Sequence, residues 1–227
     1  MIEAEAITIA MEGAEPVSGL WQAPADARAL LVLAHGAGAG MTHAAMAATA
    51  NGLAERRVAT LRYQFPYMER GSKRPDTPAV AHQAVRAAVA EANRRAPRLP
   101  LFAGGRSFGA RMTSQAEALQ PLQRVAGLVF FAFPLHPAGK PSRERAEHLA
   151  DVTLPMLFLQ GTRDTLAELD LLRPTVAALG ARARLALFDD ADHSFHVRAS
   201  SGRHDPDVLA EMLDIATAWM AERAGSA

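Results

Sequence analysis

A chain of 227 residues, 49% of them hydrophobic, is long enough to bury a sizeable core. Its 24 basic residues balance 24 acidic ones and aromatics make up only 6%, so neither a basic face for nucleic acid nor a base-stacking platform is expected. With no cysteine, disulfides, thiolate nucleophiles and Cys-ligated zinc are excluded.

The chain opens on "MIEAEAITIA", acidic and alternating where a signal peptide would be basic and then apolar, and no apolar run reaches the length of a membrane span. A soluble cytoplasmic protein with no membrane partner and no nucleic-acid partner is expected. Residues 2–10 and 17–22, split by the turn-forming "EGAEP", read as an antiparallel hairpin at a sheet edge. After it come six runs that are apolar on both faces: "ALLVLA" (29–34), "VATLRY" (58–63), "LPLFAG" (99–104), "VAGLVFFAF" (125–133), "LPMLFLQ" (154–160) and "RLALF" (184–188). Such runs suit parallel strands covered by helices on both sides.

Helical patterns lie between them. Residues 42–57 place Met46, Ala50, Leu53 and Ala54 on one face. In "DTPAVAHQAVRAAVAEANRR", Thr77 is a capping candidate with Pro78 at the first helical position, and Val85, Ala88, Val89 and Ala92 form a stripe. Pro174 is expected to break or restart the helical stretch 166–180. The last helix opens at Asp205-Pro206 and turns Leu209, Met212, Leu213, Ala216 and Met220 inward. Strands alternating with helices imply an α/β fold with a doubly wound sheet. Without repeats or a linker, residues 1–227 read as one domain.

"GGRSFGAR" (104–111) falls between the run "LPLFAG" and the helix-like "FGARMTSQAEALQ". A serine on such a strand-to-helix junction is pushed into a strained conformation above the sheet, and glycines two residues to either side keep Cβ atoms out of the turn. The helix start also aims backbone N–H groups at developing negative charge. Ser107 is therefore a candidate nucleophile; the plainer reading is a tight turn with an idle serine.

A serine hydroxyl needs a base, and the base an orienting acid. Doubly wound sheets carry functional groups on loops after the carboxyl ends of strands. The loop "GTRDTLAEL" supplies Asp164 and the loop "DDADHSFHVR" supplies His193, giving the chain order Ser107, Asp164, His193. Asp164 has a structural alternative as a helix cap. Asp189, Asp190 and Asp192 are rival acids and His196 is a rival base. For an oxyanion hole, the Gly-rich "HGAGAG" (35–40) offers the N–H of Ala37, and the elbow that of Phe108. That loop lacks the ending of a P-loop and only partly matches a dinucleotide fingerprint. No cofactor and no metal is needed for this constellation.

The strand-HGxG, GxSxG, Asp and His elements, in this order and spacing, resemble the α/β-hydrolase superfamily across essentially the whole chain. Within it, "HGAGAGMTH", "RYQFPYMERGSKRPD" and "GGRSFGAR" together look like the small KANL3/Tex30-like branch. The resemblance implies an α/β-hydrolase fold, with a mostly parallel twisted sheet, helices on both faces and a minimal or absent cap domain. It also implies a serine hydrolase of unsettled substrate. Eukaryotic members of that branch include a chromatin-complex subunit, so a catalytically silent interaction module is the alternative. Dienelactone-hydrolase-like proteins are similar in size but use a cysteine nucleophile, and the nucleophilic Asp of haloalkane dehalogenases is missing from this elbow.

Only "PLHPAGKPSRERAEHLADVT" separates the runs ending near 133 and starting near 154, too little for a substantial lid. An open, shallow pocket, a small-molecule substrate and a preference for short acyl groups are expected, with carboxylester hydrolysis the most economical reaction. Phe65, Pro66 and Tyr67 are candidates for an apolar pocket wall. Arg62, Arg106 and Arg111 are candidates for a basic mouth that would favour a carboxylate or phosphate on the substrate, against a solvated basic loop and structural ion pairs. His35 is a further pocket candidate, with a loop-holding role through hydrogen bonds as its alternative. The sequence assigns no oligomeric state.

Overall fold

The computed structural model describes residues 2–225. Eight strands form one sheet: β1 (Glu5–Met11), β2 (Ala14–Gln22), β3 (Ala29–Ala34), β4 (Val58–Tyr63), β5 (Leu101–Arg106), β6 (Val125–Phe131), β7 (Met156–Gly161) and β8 (Ala183–Phe188). Their spatial order is β1-β2-β4-β3-β5-β6-β7-β8. The hairpin β1–β2 is antiparallel and joins β4 antiparallel at the edge, while every pairing from β4 to β8 is parallel.

Six α-helices cover the two faces: α1 (Ala44–Glu55), α2 (Pro66–Glu69), α3 (Pro78–Arg95), α4 (Phe108–Leu119), α5 (Leu169–Ala178) and α6 (Asp205–Ala224). Strand β3 shows why these runs carry no polar alternation. Leu30, Val32 and Ala34 point into the core shared with α3, α4 and α5, whereas Leu31 and Leu33 point into the core shared with α1 and α6. Both faces of the strand are dry, so both sets of side chains must be apolar.

Element boundaries follow proline and backbone geometry. Strand β5 begins two residues later than the apolar run, after Pro100, whose carbonyl accepts from Leu30 N–H at 2.9 Å. Strand β7 likewise starts after Pro155. Strand β6 stops at Phe131 because Ala132 turns the chain at φ 57°.

Two expectations are corrected. Pro174 does not break its helix: α5 starts only at Leu169 and runs through it. The carbonyl that loses its partner belongs to Asp170 in the first turn, which is exposed, so water can replace the missing bond. Thr77 sits at the N-cap position of α3 with Pro78 at the first helical position, but its side chain makes no capping hydrogen bond.

No lid or cap domain is inserted between β6 and β7. The connection holds a short 3-10 segment, Glu144–Asp151, laid against α4 and joined to it by a 2.7 Å hydrogen bond between Ser114 Oγ and His148 Nε2. Among the described residues no helix is long and apolar enough to cross a membrane.

Candidate active site

The junction of β5 and α4 has the geometry that "GGRSFGAR" predicts. Ser107 stands between them at φ 51°, ψ −112°, a conformation an L-residue adopts only under strain. Its N–H is held by the carbonyl of Phe131 at the end of β6, 3.0 Å away. The flanking glycines answer to the neighbouring strand. A Cβ at Gly105 would stand 2.5 Å from the carbonyl oxygen of Ala34, and one at Gly109 2.6 Å from the same atom. Without side chains at 105 and 109, the elbow can lean on the end of β3.

Three loops at the carboxyl end of the sheet bring Ser107, His193 and Asp164 into one hydrogen-bonded chain. His193 Nε2 lies 2.8 Å from Ser107 Oγ, and His193 Nδ1 lies 2.7 Å from Asp164 Oδ2. A carboxylate can only accept, so Nδ1 carries the proton and Nε2 presents its lone pair to the serine hydroxyl. The Asp164 side chain is fully buried and that of His193 is 25% exposed, which leaves the far end of the chain open to a ligand. Asp164 caps no helix, for α5 begins at Leu169 behind the N-cap Glu168, but its Oδ1 holds a local turn by accepting from Leu166 N–H at 2.8 Å. The two roles use different oxygens.

Two of the rivals, His196 and Asp192, are occupied elsewhere. His196 pairs with Asp205 at 2.8 Å on the surface. Asp192 accepts from the N–H groups of Ser194 and His196 at 2.7 and 3.0 Å, and so shapes the turn that presents His193.

On the other side of Ser107 lies the 35–40 loop. Gly36 abuts the elbow, for a Cβ built there would sit 3.7 Å from Ser107 Cβ. Ala37 is exposed, and among the described residues neither its N–H nor that of Phe108 donates within the chain. His35 is fully buried, which holds its pKa below the usual range and keeps the ring neutral. Its Nε2 accepts from Phe65 N–H at 3.0 Å, so Nδ1 carries the proton and meets the Gly36 carbonyl at 2.8 Å. Gly38 N–H donates to the Tyr67 hydroxyl at 3.2 Å, a group that burial pushes to higher pKa and so keeps protonated.

A family model described as an alpha/beta hydrolase domain matches residues 27–221, from just before β3 to near the end of α6. The chain belongs to the alpha/beta-hydrolase family. Solved structures with the same architecture include a dienelactone hydrolase from Anabaena variabilis (19% identity, 98% of each chain covered, TM-score 0.80). An alpha/beta serine hydrolase without a lid from Xanthomonas campestris is similar at 20% identity, with 96% of this chain and 95% of that one covered and a TM-score of 0.73. The esterase domain of a Rhodothermus marinus protein matches at 14% identity, over 98% of this chain and all (100%) of that one, TM-score 0.73. At these identities the likeness carries the fold.

Several pocket candidates of this hydrolase are corrected by burial. Phe65 and Tyr67 are fully buried; their rings pack with His35 and Phe108 beneath the site and do not wall a cavity. The connection after β4 folds into α2, and Asp76 ties it down by accepting from Tyr67 N–H at 2.8 Å and Arg70 at 2.6 Å. Pro66 is buried with them. His35 serves the loop-holding role and is fully buried. Arg62 is only 4% exposed, and its two terminal nitrogens donate to the Met41 carbonyl and Gln22 Oε1 in the interior. Arg106 is different. Its guanidinium lies 5.5 Å from the Phe195 ring, and it lines a hollow of about 310 Å³ beside His193 with Ala45, Ala48, Ser194, Phe195 and Leu209.

Sequence reasoning missed Gln160. It sits in β7, fully buried, and its Nε2 donates to Asp164 Oδ2, the oxygen that also faces His193. A glutamine inside an otherwise apolar strand, four residues before a candidate acid, is the signal that would have found it. Among the described residues no three His, Asp or Glu side chains stand together as metal ligands.

Proposed function

We propose that this hydrolase is a carboxylesterase-like serine enzyme acting on small acyl substrates, with Ser107 as nucleophile, His193 as general base and acid, and Asp164 as its orienting carboxylate. The observation that carries this reading is the continuous hydrogen-bonded path from Ser107 Oγ through His193 to Asp164, built on a strained elbow. The branch resembled by "HGAGAGMTH" and "GGRSFGAR", KANL3/Tex30-like, is part of the same proposal.

In the first half-reaction Ser107 Oγ adds to the substrate carbonyl carbon while its proton passes to His193 Nε2. The carbonyl π pair becomes an oxyanion facing the N–H groups of Ala37 and Phe108. Collapse expels the alcohol, which takes the proton from His193 and leaves an acyl-serine. Water then adds, giving its proton to His193; collapse releases the acid and returns that proton to Ser107 Oγ. No metal or organic cofactor enters these steps. The short connection between β6 and β7, which inserts no lid over the site, supports a preference for short acyl or alkoxy groups.

The test is a fluorophosphonate probe on wild type, Ser107→Ala and His193→Ala, with mass spectrometry to locate the adduct. Labelling at Ser107 that falls away in His193→Ala is the expected result. Folded wild type that stays unlabelled would overturn the reading in favour of a silent interaction module.

Gln160 supplies a second expectation. A hydrogen bond to a charged group is worth about 1.5–3 kcal/mol, so Gln160→Leu is expected to lower kcat about tenfold by loosening Asp164, with KM within about twofold of wild type. Steady-state kinetics on a chromogenic short-chain ester checks it; an unchanged kcat would remove Gln160 from the site.

A further inference from the structure

A cluster of basic side chains lies between α4 and the 3-10 segment, one turn along α4 from Ser107. Helix α4 carries Arg111 and Ser114 three residues apart, and the 3-10 segment opposite carries Arg145 and His148 three residues apart. Side chains three apart share a face, and in a 3-10 helix they eclipse. The 2.7 Å bond between Ser114 Oγ and His148 Nε2 fixes the register between the two elements. With that rung set, Arg111 and Arg145 fall on the adjacent rung, nearer the elbow. His82 joins the cluster from α3, its Nε2 3.3 Å from Gln115 Oε1 on α4.

Arg111, Arg145, His148 and His82 thus converge, and the acids that act on them, Glu144 and Asp151, form no ion pair with them among the described residues. Among the described residues Arg111 and Arg145 make no ion pair and no side-chain hydrogen bond, and the buried Nε of Arg111 has no partner. Arg56 is held by Asp214, Arg95 by Glu91, and Arg86 by the carbonyls of Ala116 and Gln120; the buried Nε atoms of Arg62 and Arg223 also lack a partner, but Arg62 is bonded at both terminal nitrogens and Arg223 lies over the Trp219 ring. Burial lowers the pKa of Arg111, and the like charge of Arg145 lowers it further. His148 is driven down to about 4, first by burial and then by Arg111 and His82, so near neutral pH it offers no positive charge. Glu144 acts on Arg145 from the adjacent residue without forming an ion pair. Two neighbouring guanidinium groups, partly dehydrated, are a site for an oxyanion to bridge.

The place of this cluster connects it to the chemistry. The Arg111 guanidinium lies 5.8 Å from the ring of Phe108, the residue whose N–H faces the oxyanion position. Four residues of helix separate Arg111 from Ser107, a rise of about 6 Å, which a few methylene groups of a substrate span. We propose that Arg111 and Arg145 form a subsite for a second, anionic group of the substrate, a carboxylate or phosphate, so that the enzyme acts on esters carrying an oxyanion a few atoms from the scissile carbonyl. The inference rests on the serine-hydrolase reading above and narrows its substrate class.

Two p-nitrophenyl esters matched in length test it: the monoadipate, which ends in a carboxylate, and the hexanoate, which ends in a methyl group. Wild type is expected to favour the monoadipate by about tenfold or more in kcat/KM, after subtraction of uncatalysed hydrolysis. Arg111→Gln and Arg145→Gln should each lower that ratio, while Arg94→Gln, on an exposed pair with Glu91, should leave it unchanged. Inhibition of hexanoate turnover by free adipate or by inorganic phosphate tells which oxyanion the subsite takes. Calorimetry with adipate and phosphate on Ser107→Ala, and on the same protein carrying Arg111→Gln, reads the subsite without turnover. A wild-type ratio at or below one, or a ratio untouched by both arginine substitutions, with Ser107 still labelled by fluorophosphonate, overturns the subsite alone. Loss of labelling overturns the serine reading instead, and the calorimetric comparison then decides the subsite by itself.

Discussion

Exchanging Ser107 for glycine is expected to abolish ester turnover and at the same time to raise the melting temperature. The two effects share one cause, the backbone at φ 51°, ψ −112°. Holding an L-residue there costs about 1–3 kcal/mol, which the surrounding structure must supply. Glycine adopts such a conformation without a Cβ penalty but loses about 0.5–1 kcal/mol more chain entropy on folding. The difference leaves a net gain of about 1 kcal/mol, or a few degrees in a chain of this size. The hydrogen bond to His193 is lost as well, yet the imidazole is 25% exposed and water can replace the hydroxyl. Ser107→Ala makes the informative control, since it removes the hydroxyl and keeps the Cβ. Both variants should fall roughly a millionfold in turnover, but only the glycine variant should melt higher. Thermal denaturation beside kinetics checks this; a glycine variant no more stable than the alanine one would mean that the elbow stores no strain.

Strain of this kind gathers around the site. Ala132 after β6, and Asp190 and Phe195 around the His193 turn, also have positive φ without being glycine. Ala132 directly follows β6, Asp190 lies two residues past β8, and Phe195 lies two residues past His193. A site of this type trades local stability for geometry, and substitutions that relax it are expected to stabilise while they inactivate.

What the sequence makes legible here is whatever depends on local pattern. Strands dry on both faces must read as unbroken apolar runs, so β3 and β4 are visible to the residue. Ser107, Asp164 and His193 are visible because each follows the end of such a run, and a parallel sheet carries those ends to one edge. The pocket is not legible, because which side of a loop faces inward is decided by tertiary contacts. Phe65 and Tyr67 look like wall residues until Asp76 is seen to fold their segment down onto the core. Arg62 looks like a surface charge, yet its partners, Gln22 and the Met41 carbonyl, come from β2 and from the connection after β3. The nearness of Arg111 and Arg145, 34 positions apart in the chain, needs the Ser114–His148 bond to set it.

The largest loss of stability is expected at Gly104, which the G-x-S-x-G motif does not include. A Cβ there would stand 1.8 Å from the carbonyl oxygen of Val129, a backbone atom of the adjacent strand β6. No rotamer change relieves such an overlap, and β6 cannot retreat without giving up its pairing with β5 or its own packing against β7. Gly104→Ala is therefore expected to destabilise the fold by about 3 kcal/mol or more, the upper range for overpacking. Gly109→Ala meets the Ala34 carbonyl at 2.6 Å, and that contact has a second consequence. Ala34 is the last residue of β3 and leads directly into the 35–40 loop, so a methyl group at 109 pushes the elbow away from the N–H of Ala37. Activity should then fall by more than the loss of folded protein explains. Gly139 is the matched control: its φ of +70° strains an alanine, but no atom lies within 4 Å of the added Cβ, and about 1 kcal/mol is expected. Chemical denaturation of the three variants ranks them, and Gly104→Ala no worse than Gly139→Ala would show that β5 and β6 have room to separate. For Gly109→Ala, activity per folded molecule separates a displaced elbow from a merely weakened core.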